Sequence, residues 1–551
     1  MLKLFLPVLM CITSFSVSYA QKDSLKGVVN VVGSYIPELK IREKYFEQPR
    51  ITDTFKTEIR PEYSITLRNL SFPYQPDTLS AARMKSEPLK RLRRFYIKIG
   101  FGNYLSPLGE ARFNSLRSKN QAYDISYRYF SSAGNISRVG FPGIADHTAA
   151  ANYRRIFKNH TLDLQARYGN NKTHYYGYNA LDTLNDSITK SSIRQTYNFA
   201  GISLRFANKN LYDSNRIITD GGIAYYFLRD RLGSTENNLR FDLSLSRYVK
   251  EFYVGGRLLA DYYHNNMKGD PGAVNNINLQ VNPFVRLLKP RWNAEIGAVL
   301  AGSAGTYGKF YIYPNLNAAF HLYDKYLILF ATVGGGLDRN SFDVLRRNNP
   351  FIISNPNIRN TSRQIDASLG LRGSLSRDFS YRIYGGYALA NDQSFFVTDS
   401  TRKTGNYFNM LYSRLQTIKA GGELNYQFGE KASARLRGNY YYFMTGSELK
   451  AWHMPSFDIA LSGFYNLSDK FIFKLDVFYI GNQWAPDYQS GVVVPVKIKG
   501  TVDVNLSVEY RYNKWLSLFV TGNNLAAFRY NRWFRYPTQQ VNVIGGLTFS
   551  F

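Results

Sequence analysis

The sequence predicts an all-β fold, a transmembrane antiparallel β-barrel of about 22 strands with a short N-terminal periplasmic or lumenal segment ahead of it. Three observations carry this. Segments throughout 93–551 alternate apolar and polar side chains with a period of two residues. No stretch approaches the roughly 18 to 20 consecutive apolar residues that a membrane helix needs. The composition, with 44 Tyr, 38 Phe and 42 Gly, is that of a large β-structure whose aromatic rings suit a membrane interface.

The first twenty residues stand apart from the fold. Lys3 precedes an apolar run over 4–12 that leads into 13–20, with Ser18 and Ala20 at the small-residue positions and Gln21 next. The run is too short to span a bilayer and has the pattern of a secretory signal peptide cut after Ala20. A lipid anchor at Cys11 is the competing reading, but Met10 is a poor residue before a lipidated cysteine and little apolar sequence precedes it. Cys11 is the chain's one cysteine, so the mature protein has none, which excludes disulfide staples, thiolate metal sites and cysteine nucleophiles. The chain therefore divides into a signal peptide at 1–20, a short periplasmic or lumenal segment at 21–92 and an outer-membrane β-barrel at 93–551.

Within the barrel, side chains on a strand point alternately to opposite faces, so each segment has one apolar and one hydrophilic surface. Val502, Val504, Leu506, Val508, Tyr510 and Tyr512 alternate with Asp503, Asn505, Ser507, Glu509 and Arg511. Leu239, Phe241, Leu243 and Leu245 oppose Arg240, Asp242, Ser244 and Ser246; Ile365, Ala367, Leu369 and Leu371 oppose Asp366, Ser368, Gly370 and Arg372. Leu162, Leu164, Ala166 and Tyr168 oppose Asp163, Gln165 and Arg167. The segments are long, the hydrophilic face is often charged, and no helices are on offer to cover the apolar face, so lipid is its counterpart. The strands fall near 93–102, 108–117, 121–131, 144–156, 159–172, 192–207, 218–228, 236–249, 251–265, 275–287 and 290–302. They continue near 309–321, 324–337, 362–376, 378–396, 410–428, 431–445, 453–466, 469–482, 497–512, 514–527 and 540–551. Connections alternate in length: Lys250, Tyr323, Arg377 and Asn513 lie in tight turns, whereas 173–191, 338–361 and 483–496 are long. With a periplasmic C-terminus all the long ones lie outside the cell, and the connection over 208–217 is the one awkward periplasmic exception.

The last segment sets Val541, Val543, Gly545, Leu547, Phe549 and Phe551 against Asn542, Ile544, Gly546, Thr548 and Ser550. A final strand that places Phe549 and Phe551 outward at the C-terminus resembles the signal read by barrel-assembly machinery, an expected partner together with outer-membrane lipid and lipopolysaccharide. The strings FYIKIGFGNYLSPLGE at 95–110, FKNHT at 157–161 and HYYGY at 174–178 resemble Bacteroidota outer-membrane β-barrel proteins of the TonB-dependent-receptor-like family. The resemblance extends weakly along most of the mature chain. It implies a transporter, receptor or channel for a solute, with TonB as a candidate partner. Residues 21–92 are too few for the plug domain that a full transporter carries ahead of its barrel, so the resemblance is to a member without a full plug. A second function class fits that departure: a structural or assembly barrel that scaffolds a surface lipoprotein or a secretion complex.

Two features of 21–94 have functional and plain readings. Val28 to Val32 form an apolar run where a transporter would pair with TonB by strand addition, or an ordinary strand or ordered leader. Pro73, Pro76 and Pro88 followed by Lys90, Arg91, Arg93 and Arg94 read as an irregular linker whose cations either meet phosphates at the inner rim or are simply solvated. The segment is expected to obstruct the lumen, because a barrel of this size would otherwise leak.

The net charge of +29 falls to +28 once Lys3 leaves with the signal, and in an exported barrel this excess does not point to nucleic acid. Candidate lumenal charges are Asp163, Arg167, Arg240, Asp242, Asp366, Arg372, Arg435, Arg437, Lys474, Asp476, Glu509 and Arg511. Such a wall either favours anionic solutes by focusing the field, or forms a lattice of cross-strand ion pairs, or holds lipopolysaccharide phosphates at its rim. Six scattered histidines (His147, His160, His174, His264, His321 and His453) show no metal-ligand spacing, and no nucleophile-elbow pattern surrounds a serine. No catalytic residue, metal or cofactor is assigned, and the protein is read as a non-enzyme. The mature protein is expected to begin at Gln21 in the outer-membrane fraction; N-terminal mass spectrometry that finds Met1 in the mature species contradicts this.

Overall fold

The computed structural model describes residues 92–551 apart from 183, 184, 186, 209–215, 270–273, 306, 307, 402, 403, 490 and 491. The signal peptide, the segment over 21–91, its run at Val28 to Val32 and the expected obstruction of the lumen lie outside the described residues.

Twenty-two strands make one closed antiparallel sheet, each paired to its neighbours in sequence, with the first strand (Phe95–Gly102) paired to the last (Asn542–Ser550). Closure leaves no strand edge, so the backbone N–H and C=O groups of each strand meet partners on both neighbours and the wall can stand in lipid. The closing register runs from Tyr96 opposite Ser550 to Gly102 opposite Ile544. Beyond it Phe95 N donates to Phe551 O at 2.9 Å, Phe551 N donates back to Phe95 O at 3.0 Å, and the two rings stack at 5.3 Å. The C-terminal Phe551 is thus the last rung of the seam, with its ring on the exposed side. Gly100 faces Gly546 across this seam beneath the buried Phe519 ring. A Cβ on Gly546 would lie 2.0 Å from the Ile99 carbonyl oxygen and 2.8 Å from the Phe519 ring, so no other residue fits there.

All of the expected strands are present, and many coincide closely: 144–156 is Ile144–Ile156 and 431–445 is Ala432–Thr445. The largest differences are at the loop-bearing end. The segments expected at 453–466 and 497–512 begin at Phe457 and Thr501, and the one expected at 514–527 ends at Asn523. The reason for one of these is a hairpin, Gln483–Gln489 with Val492–Ile498, that pairs with itself rather than continuing the wall. The connection expected over 338–361 contains a short helix, Phe342–Asn348. Tight turns close the other end; Lys250, with φ 56°, supplies a positive φ of the kind that two-residue hairpins use.

Strand length varies around the wall. The strands at the seam have 8 or 9 residues (Phe95–Gly102, Ser106–Asn114, Leu516–Asn523, Asn542–Ser550), near the minimum of roughly 9–11 that crosses a bilayer. Phe379–Thr398 and Phe408–Phe428 have 20 and 21 residues and project well beyond it. The outward face is a belt of exposed apolar side chains, among them Ile99, Ile125, Ile202, Ile223, Ile312, Leu369, Ile383 and Val520. Exposed apolar surface on this scale around a closed sheet is the mark of a multi-pass outer-membrane barrel.

Leu239, Phe241 and Leu245 belong to that belt, and Leu243 shares their parity, whereas Ser244 sits opposite Arg257 and Asp220 on the inward face. Leu243→Arg is expected to cost about 2–4 kcal/mol near the bilayer midplane and to impair assembly, while Ser244→Arg is tolerated. Heat-modifiability on electrophoresis reads both; equal tolerance contradicts the facing.

Candidate functional site

The long connections all emerge from one end of the barrel, and their aromatic residues pack together there. The helix Phe342–Asn348 anchors this cap. At seven residues it has too few internal hydrogen bonds to stand alone, and its free N–H groups are met by fixed acceptors. Ser341 accepts from Val344 N at 3.2 Å, and the buried Glu236 carboxylate accepts from Phe342 N at 2.7 Å and Asp343 N at 3.1 Å. Tyr226 donates to the same carboxylate at 2.8 Å. Phe342, Leu345 and Ile352 are then buried with Tyr197, Leu228 and Met410.

Contacts cross the mouth. Tyr175 follows the fifth strand and Asn406 precedes the sixteenth, eleven places away in a wall of 22, so they belong to opposite sides. Asn406 Nδ2 donates to Tyr175 O at 2.5 Å, and Tyr175 Oη donates to Ile352 O at 2.8 Å. Tyr536, from the last long connection, donates to Asn406 O and stacks on Phe351 at 3.8 Å. Burial pushes its phenol well above the usual range, so the hydroxyl stays a donor. Trp452 and His453 extend the cap: Trp452 Nε1 donates to Glu448 at 2.8 Å, and His453 packs against Phe408 and Trp533.

Beside the cap is a recess of about 1120 Å³ lined by Arg138, Lys497, Lys499 and Arg529, with Tyr178, Phe528, Tyr530 and Phe534 among them. Arg529 bonds to Ser137 Oγ at 2.7 Å and, among the described residues, pairs with no carboxylate. Sequence reasoning missed this cluster because its cations come from three separate connections and share no periodicity.

The twelve candidate charges have inward parity, and the structure gathers some of them into pairs. Asp163 takes Arg154 through two bonds of 2.5 and 3.2 Å; Arg435 meets Glu423 at 2.8 Å; Asp366 meets Lys419 and, at 3.7 Å, Arg363. Glu509 and Arg511 are 3.9 Å apart, and Asp476 accepts from Ser462 at 2.6 Å. Arg240 stands opposite Asp261, whose carboxylate instead holds Arg339 at 3.1 Å. Asp242 lies beside Gly222, and Lys474 is opposite Ser507. Arg372 faces Arg382, and Arg437 faces Glu423. Arg167 faces Gly201 and Ala150. The partners Arg154, Lys419, Arg382 and Glu423 were legible in principle from parity, but pairing them requires the register. Among the described residues, no group of three or more histidine, cysteine or carboxylate side chains gathers as a metal site.

The cap has a titratable lock. His453 Nδ1 lies 2.9 Å from Phe396 O and its Nε2 accepts from Phe534 N at 3.4 Å, an arrangement that suits the neutral ring. Burial pushes this ring down to about 4 from the usual 6.5, so the folded cap excludes the proton that the loosened cap accepts. The sign follows: cap stability is whole above pH 6.5 and falls as pH is lowered towards 4. Tryptophan fluorescence and limited proteolysis between those values should report loosening, and His453→Phe should flatten the profile; an unchanged profile in that variant contradicts the assignment.

No protein-family model and no curated protein matches the chain. Solved structures do match in shape. The FrpB iron transporter from Neisseria meningitidis aligns with a TM-score of 0.64 at 9% identity, over 84% of this chain and 82% of that one. The ferric-catecholate import receptor Fiu from Escherichia coli K12 gives 0.61 at 10%, over 84% and 82%. The pyoverdine outer membrane receptor FpvA from Pseudomonas aeruginosa gives 0.60 at 11%, over 84% and 79%. At these identities the likeness is one of fold, and it establishes that this chain has the 22-stranded barrel of the outer-membrane iron and siderophore receptors, the architecture its resemblance to the TonB-dependent-receptor-like family implied.

Proposed function

We propose that the protein is a receptor-like transporter that captures an anionic solute at the loop-bearing mouth and passes it through the barrel, and that it is not an enzyme. The observation that carries this is the recess beside the cap, where Arg138, Lys497, Lys499 and Arg529 line about 1120 Å³ with aromatic rings and, among the described residues, no acidic side chain. Cations on low-dielectric walls concentrate anions, and aromatic faces add affinity for flat ligands. The neighbours' ligands make an iron chelate with acidic or catecholate groups the first class to test, and coupling to TonB is part of the same reading. No specific observation favours the scaffold alternative.

The experiment is uptake of radioactive iron from a panel of anionic chelates by a deletion strain, the complemented strain and one carrying Lys497→Gln with Arg529→Gln. Uptake of at least one chelate should be lost in the deletion, restored on complementation and reduced about tenfold in the double variant, as expected when two ligand-contacting charges are removed. Unchanged uptake of every chelate in the deletion strain overturns the proposal.

A further inference from the structure

A different part of the wall carries charge that the described residues leave unanswered. Arg372 and Arg382 are register partners on adjacent strands, both on the inward face. Like charges directly opposite each other in a sheet repel, and such a pair is normally relieved by a carboxylate between them. Here none of the described carboxylates forms an ion pair with either arginine. Glu423, the register partner of Arg382 on its other side, is turned to Arg435 at 2.8 Å. Both Nε–H groups are buried without an acceptor.

The arginines are nevertheless held in place. The buried Phe330 ring lies across Gly370, where a Cβ would come within 2.8 Å of it, and forms a platform for both guanidinium groups. Their centres are 5.5 and 4.8 Å from its centroid, and Arg382 also lies 5.2 Å from the Tyr384 ring. Rings on one side fix two planar donor forks so that their remaining N–H groups face the lumen. Next to the pair is a recess of about 480 Å³ that Arg382 lines with Arg437 and Lys419. Its carboxylates are already engaged, Asp366 by Lys419 and Glu423 by Arg435.

We propose that Arg372 and Arg382 form an oxyanion-binding site in the lumen wall, taking a carboxylate or phosphate group of a solute between their two forks. Two orphaned donors, mutual repulsion and a rigid aromatic backing all have one remedy, an oxygen anion that bridges the pair. The consequence for solute class rests on the transporter reading; binding itself rests on the wall alone.

The test uses the full-length protein purified in detergent, with its unfolding midpoint followed by heat-modifiability while chloride is exchanged for phosphate or for citrate at constant ionic strength. The wild-type midpoint should rise saturably with at least one of the two anions, and which one identifies the oxyanion. Arg382→Gln should raise the half-saturating concentration about tenfold, the loss expected for a charge-assisted bond. In chloride alone the same variant should be more stable than wild type, because it relieves the repulsion, an outcome that a merely structural arginine would not give. Arg372→Gln should behave alike and serves if the first variant fails to assemble, whereas Arg205→Gln, which breaks a remote pair with Asp220, should leave the anion response intact. A wild-type midpoint indifferent to both anions, or a response that survives in both arginine variants, overturns the site. Either result leaves the uptake experiment standing, so failure here and failure of the transporter reading are distinguishable.

Discussion

In a bilayer core an unpaired backbone N–H or C=O has no water to fall back on, and the rest of this structure depends on that constraint. A sheet can obey it only by closing, so the first and last strands must meet in register although 454 positions separate Tyr96 from its partner Ser550. The seam shows what closure demands locally. Two glycines face each other where the Phe519 ring has to lie across the joint, and the terminal Phe551 extends the ladder with main-chain bonds on both sides of Phe95. Both features sit on the shortest strands of the wall, where few hydrogen bonds hold the joint and each one counts for more.

Once the wall is closed, its two ends have different problems. At one end adjacent strands turn back within a few residues, except between Asn208 and Ile218, and little needs organising. At the other the connections carry unpaired backbone and aromatic side chains into water, and the solution is to bury them on one another. Glu236 meets the amides that begin a seven-residue helix, the helix buries Phe342 and Leu345, and Ile352 then offers its carbonyl to Tyr175. Each step supplies the partner that the next one needs, and the chain of contacts ends at Asn406 on the opposite side, to which Tyr536 of the last long connection donates. The His453 ring lies inside the same packing, which is why its protonation is coupled to the cap rather than to the wall.

The wall was readable in the sequence because a strand between lipid and lumen has to alternate. Leu239 to Ser246 shows this plainly, and a one-residue error would have exposed Arg240 and Asp242 to lipid. Strand number followed from the same signal. The cap was not readable. Tyr175, Phe351, Phe408 and Tyr536 come from four stretches without common spacing, and only the closed wall brings them together. The hairpin at 483–498 was hidden for a related reason: Pro486 opposite Pro495 breaks the pattern that marks a strand. Charge partners fell in between. Arg372 was identified by parity, but its facing Arg382 depends on a register set by the turn between them, which alternation alone does not specify.

Register therefore separates two kinds of charge that look the same in a sequence. Asp163 with Arg154, and Arg435 with Glu423, are answered within the chain; at these partly exposed positions they contribute little to stability and nothing to the field at a distance. Arg372 and Arg382 differ because the sheet forces like charge against like, and the cost of holding them there is borne by the folded barrel. An arrangement of that kind weakens the wall unless something outside the chain completes it. The mouth recess and this arginine pair share that property, an excess of positive charge beside aromatic rings, one among the loops and one well down the wall. Excess positive charge of this kind raises the local potential for anions, whereas the paired charges between them largely cancel.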